Sequence, residues 1–299
     1  LNTTGHSNVA VGKSAGAAVT TATENTFVGS SAGDATTTGS SNTAVGINAL
    51  GANTTAADNT AVGRHALAAN TTGTENTAVG LGAADANTTG NYNVAMGNNT
   101  FGTNTTGSEN TALGYRAMFA NTEGATNVAV GSSALDECTT GDSNTAVGVS
   151  ALTSVTTADN NTALGKSAGQ EITTGTQNTT VGYASLDATT TGGYNTAVGY
   201  NAVGANITGV QNVGVGVDAL LLTTGSRNTG LGSYTLQANT SANDNTAVGN
   251  QALYANTTGA SNVAIGPSTL DTCTTGTENI AIGKAAGDRI TTAGANTAV

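Results

Sequence analysis

The chain has 299 residues, 3% aromatic and without Trp, and its 37% apolar content is largely Ala, so it lacks the large side chains that fill a conventional core of this size. Its formal net charge is -11 with only seven Lys plus Arg, which excludes the cation-rich surfaces that bind nucleic-acid phosphates or anionic membranes. No stretch has the length and apolarity of a transmembrane helix, and no signal peptide is visible.

Asparagine recurs every seventeen residues from Asn8 to Asn212. One step of sixteen leads to Asn228, and the beat then resumes through Asn245, Asn262, Asn279 and Asn296. Glycine follows four residues later in every complete unit, from Gly12 to Gly283. A strict period of this length is the signature of a repeat architecture, in which a short unit buries apolar surface only by stacking on its neighbours. Disorder is the competing reading of a Gly-, Thr- and Asn-rich chain. It gives no reason for Val, Leu, Ile or Met to stand three residues after the Asn of every complete unit, as they do.

With the repeating Asn as position 0, the unit from Asn42 is representative. Thr43-Ala44-Val45 is expected to be a strand, Gly46 to close it with a positive φ, and Ile47-Asn48 to form a corner. Ala49-Leu50 is expected to be a second short strand, and Asn53-Thr54-Thr55 to return the chain. Helix is disfavoured by Gly, Thr, Asn and Val at such short intervals, and seventeen residues are too few for a βαβ unit. The expectation is therefore an all-β parallel β-solenoid, or β-roll, of about seventeen 17-residue coils in which each residue lies above its own equivalent. The Asn column should form an amide ladder along the axis. The repeat runs through 1-299 as a single continuous array. The chain opens at Leu1-Asn2-Thr3-Thr4-Gly5 and closes at Asn296-Thr297-Ala298-Val299, both mid-repeat, and is read as a segment of a longer fibre protein.

Position 2 is Ala in thirteen of seventeen units, otherwise Phe27, Thr180, Gly214 or Gly230, and position 7 is likewise mostly Ala. With positions 1 and 3 pointing the opposite way from position 2, these uncharged small-residue rows are expected to form a second buried face, covered by a partner chain. Charged residues keep to the flanks and loops, as in Glu24, Asp58 and Glu75, Arg64 and Lys166, and Asp136, Asp187 and Asp271. Position 8, commonly Leu, is Gly at Gly16, Gly33, Gly169 and Gly287, where position 11 becomes Val19, Thr36, Ile172 and Ile290. Such volume exchange places positions 8 and 11 in one interior. Cys138 and Cys273 are eight coils apart, beyond disulfide reach, and are expected to act as small buried hydrophobes.

Catalytic and ligand-binding motifs are weak. Gly-Lys-Ser occurs at Gly12-Lys13-Ser14 and Gly165-Lys166-Ser167, but the Gly that a phosphate-binding loop needs upstream is replaced by Ser7 and Asn160. His6 and His65 fall in different phases of the repeat, and no Ser-His-Asp set, carboxylate pair or Cys/His metal cluster recurs. The chain is expected to be no enzyme and to use no cofactor or metal. Asn-Thr-Thr triplets such as Asn53-Thr54-Thr55 fit the glycosylation pattern, yet they belong to the repeat itself.

The units Asn-Thr-Ala-Val-Gly-x-x-Ala-Leu at Asn42 to Leu50, Asn59 to Leu67 and Asn245 to Leu253 resemble the head repeats of trimeric autotransporter adhesins, whose pattern is close to Ser-Val-Ala-Ile-Gly-x-x-Ala. Ser261-Asn262-Val263-Ala264-Ile265-Gly266 and Asn279-Ile280-Ala281-Ile282-Gly283 come nearest. The units also resemble repeats of phage-like tail-fibre and bacterial surface-fibre proteins. The resemblance covers essentially the whole chain, although the unit here is longer, with its extra residues in the Thr-Thr-Gly return loop. It implies a left-handed β-roll, a side-by-side homotrimer, and a place outside the cell, on a cell or virion surface.

Three functions compete on these grounds. The first is a fibre shaft or adhesin segment that mediates attachment to a cell-surface receptor or glycan through loop residues such as Tyr92, Arg116, Phe119 and Tyr194, with no nucleic-acid partner and no membrane insertion. The second is a monomeric solenoid whose Thr pairs, among them Thr54-Thr55 and Thr71-Thr72, bind ice or another regular surface. The third is a polysaccharide-acting enzyme, for which Asp136 and Glu137 are the nearest carboxylate pair.

Overall fold

The computed structural model describes residues 2–299; Leu1 lies outside the described residues. Every regular element among the described residues is a short β-strand. The chain divides into two compact units, Leu1–Val149 and Ser150–Val299. The first carries nine strands, from β1 (Val9–Val11) to β9 (Thr145–Val147). The second carries nine more, from β10 (Thr162–Leu164) to β18 (Thr297–Ala298). Within each unit successive strands pair in parallel, one repeat apart. Thr43, Ala44 and Val45 pair with Thr60, Ala61 and Val62, and Thr179, Thr180 and Val181 pair with Thr196, Ala197 and Val198. Each unit is thus a β-solenoid. The sixteen-residue coil disturbs it only locally, since Val213 still pairs with Thr229 and Asn228 N still donates to Asn212 Oδ1 at 3.0 Å.

The Asn column is the axial ladder expected from the period. Asn42 Nδ2 donates to Asn25 Oδ1 at 3.1 Å, and Asn42 N donates to the same oxygen at 2.9 Å. The second amide hydrogen reaches Ala56 O at 2.9 Å, and Asn42 Oδ1 in turn accepts from Asn59 N at 3.0 Å. Every polar valence of a fully buried side chain is used, which is what burial of an amide requires. Aspartate lacks the donors, and glutamine is too long for the same reach.

A second amide ladder runs at position 11. Asn87 Nδ2 donates to Asn70 Oδ1 at 2.8 Å and Asn104 Nδ2 to Asn87 Oδ1 at 2.7 Å, and each also donates to the Gly three residues on. The ladder stops where the next coil has Cys138 or Cys273, and there Asn121 Oδ1 and Asn256 Oδ1 are buried without a hydrogen-bond partner. Both cysteines are buried, and their thiols point at Gly141 O and Gly276 O, at 3.6 and 3.8 Å.

Two local expectations are corrected. Ala49-Leu50 is a turn, not a second strand. Leu50 is left-handed, at φ 52°, as are Leu67, Leu135 and Leu152 in the same position. That conformation aims the Leu side chain into the core while its N–H donates to the next coil, as Leu50 N does to Ala66 O at 3.0 Å. The legible sign was chemical. Position 8 is Leu, Phe, Met, Ala or Gly and is β-branched only at Val203, because a β-branched side chain crowds a left-handed backbone. Leu67→Ile conserves volume and would suit a strand, yet it is expected to cost about 1–2 kcal/mol here. Equal urea midpoints for the two proteins would restore the strand reading.

The second correction concerns the faces. Position 2 points inward: Ala44, Ala61 and Ala78 are fully buried, as are the position 7 alanines Ala49, Ala66 and Ala83. The Ala rows are the core of one chain, not a face for a partner. The interior is thin, and position 2 sits against position 8. A Cβ added at Gly214 would lie 2.6 Å from Val203 Cγ2 and 3.3 Å from Leu220 Cδ1. The exchange of volume follows from this closeness. Phe27 enters the core at position 2 where position 8 is Gly on both sides, and a Cβ at Gly16 or Gly33 would lie 2.9 or 2.5 Å from its ring. At Gly169 the space is taken by Ile172 and Leu152, each of whose methyls would lie 2.9 Å from an added Cβ, so the expected sharing of positions 8 and 11 holds there.

Candidate interaction surface

With position 2 inside, positions 1 and 3 face out. In the first unit this sheet face presents Thr43, Thr60, Thr77 and Val94 in one row and Val45, Val62, Val79 and Met96 in the other, all partly or well exposed. Met96 keeps 44% of its surface exposed and, in the second unit, Leu164 keeps 51%. No strand position carries a charge in either unit. The corner at position 5 extends the apolar face with Ile47, Leu81 and Tyr115 in the first unit and Tyr183, Tyr200 and Val217 in the second. Contiguous exposed apolar rows of this kind mark an interaction site on a soluble protein.

The loop residues singled out above are differently employed. Arg116 makes a two-point pair with Asp136, Nε to Oδ2 and Nη2 to Oδ1 both at 3.2 Å, and its guanidinium carbon lies 4.4 Å from the centroid of the Phe119 ring. The pair joins adjacent coils and leaves Arg116 committed within the chain, its charged form further favoured by the Asp136 carboxylate. Tyr92 and Tyr194 stand exposed just before the Asn, at the edge of the sheet face. A stack was missed by the sequence reading. Tyr183 and Tyr200 lie parallel, 5.6 Å between centroids, with Lys166 Nζ 5.9 Å from the Tyr183 ring. The signal was an aromatic repeated one unit apart at position 5.

The other candidates remain apart from one another. Lys13 and Lys166 of the two Gly-Lys-Ser strings are exposed corner residues. His6 Nδ1 lies 3.3 Å from Ser7 Oγ, and His65 Nδ1 lies 3.2 Å from Asn48 Nδ2. Among the described residues no three His, Cys, Asp or Glu are grouped to hold a metal ion, and no helix is long and apolar enough to cross a membrane. Burial raises the Asp85 and Asp187 carboxyls above the usual carboxylate range. Their neutral forms favour the folded state, so their contribution is full at acid pH and is lost as pH rises through the folded-state value.

The triplet asparagines Asn53, Asn70, Asn87 and Asn104 are fully buried with amide hydrogens donated inside the chain, and so are sealed from glycosylation in the folded state. Thr54, Thr71 and Thr88 donate their hydroxyls to the carbonyl of the equivalent Thr one coil on, at 3.4, 3.0 and 2.8 Å. A cavity of about 280 Å³ opens beside Phe27 and Val19 in the first unit, with Asn2 and Asn8 its only side chains bearing polar atoms. It holds no ionisable group.

No protein-family model matches the chain, and no curated protein is similar to it.

Proposed function

We propose that the chain is a non-enzymatic structural segment of a fibre or adhesin, acting as a side-by-side homo-oligomer that mediates attachment to a receptor or glycan on the outside of a cell or virion. The observation that carries the reading is the uncharged outward sheet face of Thr, Val, Leu, Ile and Met. A solenoid that worked alone in water would carry Lys, Glu or Asp on such strands, as natural sheets do to keep exposed surfaces apart. A second copy of the same face removes the apolar surface from water, and a ring of copies does so for all of them. The number three and the surface location rest on the resemblance of the repeat to adhesin-head and fibre repeats.

Light scattering on the folded chain tests the reading. A mass of three chains is expected, and a single-chain mass at every concentration overturns it. Val62→Lys with Val79→Lys is expected to break the assembly to single chains with unchanged circular dichroism, because both side chains point out of the core. A double variant that stays assembled moves the interface elsewhere and removes the supporting observation.

The regular Thr-x-Val array also favours a second reading, a monomer that binds ice or another ordered surface. The array rather than the loop Thr pair carries it, since one hydroxyl of each pair is already donated to the next coil. Thermal hysteresis by a single-chain species would support it, and its absence would exclude it.

A further inference from the structure

We infer that Tyr183 and Tyr200 form an oxidative modification site. There a one-electron oxidant, such as a peroxidase with hydrogen peroxide, joins the two rings by a carbon–carbon bond and staples neighbouring coils together. The pair lies within one chain, so the inference is independent of how many copies assemble. Its first basis is geometry. Val181 pairs with Val198, Gly199 N donates to Val181 O at 2.8 Å, and Asn201 N donates to Tyr183 O at 3.2 Å. The backbones that carry the rings are thus held level, one coil apart. The rings lie within 10° of parallel with centroids 5.6 Å apart, an offset stack. Each tyrosine keeps 50% of its surface exposed, open to an oxidant. Lys166 and Val217 stand on either side in the position 5 column, so the aromatic run is two rings long.

Its second basis is what else the second unit offers an oxidant. The chain has no Trp, and Met96, Met118, His6 and His65 all belong to the first unit. Cys273, the one cysteine of the second unit, is fully buried, and burial pushes its thiol up, which leaves little thiolate to intercept a radical. One-electron oxidation of the second unit therefore falls on tyrosine. Tyr194, Tyr234 and Tyr254 are exposed too, but among the described residues only Tyr183 and Tyr200 have tyrosine rings in contact. In the step each phenol gives up one electron and its hydroxyl proton. One hydrogen peroxide takes both electrons and both protons and becomes two waters. The two phenoxyl radicals couple through one Cε of each ring. The hydrogen on each joined carbon then moves as a proton to that ring's own oxygen, which restores two phenols. The chain has lost two hydrogen atoms and gained one bond. A solenoid is held together by contacts between neighbouring coils alone. This bond ties the coil of Tyr183 to that of Tyr200, which adjoins the sixteen-residue coil.

The test is oxidation of the folded full chain, kept dilute, by a peroxidase with hydrogen peroxide. The expected product is a single chain lighter by two hydrogen atoms, with the blue fluorescence of dityrosine. After denaturation, cleavage before Asp187 parts Tyr183 from Tyr200, and the two fragments are expected to stay joined. Tyr183→Phe and Tyr200→Phe are each expected to cut the yield about tenfold or more, because a partner held in place outcompetes one met by diffusion. Tyr194→Phe is expected to leave the yield unchanged, although Tyr194 is the more exposed at 59%. Circular dichroism checks that each variant is folded. Hydrogen exchange between Thr179 and Val198 is expected to slow about tenfold in the oxidised chain, since the joined coils open only together. A link that uses Tyr194, Tyr234 or Tyr254 instead overturns the inference. So does a product formed only between chains, whose yield falls on dilution, or a yield that survives Tyr183→Phe. A link at the expected pair that leaves exchange unchanged overturns the stapling role.

Discussion

At neutral pH, Asn76→Asp is expected to destabilise the first unit by about 4 kcal/mol or more and to recover in part on acidification. Asn76 is buried and sits mid-ladder. Its Nδ2 donates to Gly90 O at 2.8 Å and to Asn59 Oδ1 at 3.2 Å, while its Oδ1 accepts from Asn93 N at 2.9 Å. Aspartate keeps the acceptor and loses both donors. It takes from Gly90 O the shorter of its two amide donors, leaving the Asn87 amide at 3.1 Å, and sets a carboxylate against two oxygens in a dry interior. Burial and those oxygens raise the folded-state pKa of the new carboxyl above its unfolded value of about 3.9. The neutral acid is thus the form the fold tolerates. The damage is full above the raised pKa and shrinks as pH falls through it, when the protonated carboxyl can donate once. Urea denaturation at neutral and acid pH, read with hydrogen exchange because repeat arrays open locally, measures both effects. A variant as stable as the parent at neutral pH would mean that the ladder contributes little.

Gly199→Ala is the second large effect, expected at about 4 kcal/mol or more in the second unit. Gly199 has φ 134°, a region that L-residues avoid, and an added Cβ would lie 2.5 Å from Gly216 O and 2.7 Å from Gly216 C. The obstacle is backbone of the next coil, which is itself hydrogen-bonded and cannot swing aside as a side chain could. Relief would require the coils to separate, and separation breaks the parallel ladder. The expected result is a lower denaturation midpoint with hydrogen-exchange protection lost first in the coils around Thr196 to Val215. Unchanged protection in those coils would show that the corner can rearrange at little cost.

Much of this fold was legible because each column repeats itself. The Asn period gave the coil length, the parallel pairing and the amide ladder, since a buried Asn satisfies its neighbour above and below. Gly46 at φ 142° was legible as well, because Gly at every equivalent place signals a conformation closed to other residues. The left-handed turn at Leu50 was hidden. Alternation of Ala and Leu reads as strand, and the absence of β-branched residues at position 8 is a quieter sign than their presence. The candidate surface was the least legible part. Thr43-Ala44-Val45 alternates, but alternation only says that Ala44 opposes Thr43 and Val45, and the larger apolar side chain was the natural choice for the interior.

By itself the sequence determined the period, the parallel stacking, the polar ladder and the confinement of charge to corners and loops, because these follow from residue chemistry repeated at a fixed step. Only the tertiary structure decided which side of the strand is inside. Leu50, Leu67 and their equivalents, turned inward on left-handed backbone, fill so thin an interior that only a small residue, most often Ala, fits opposite them. The same packing turns Val45 and Val62 out to where a partner can reach them.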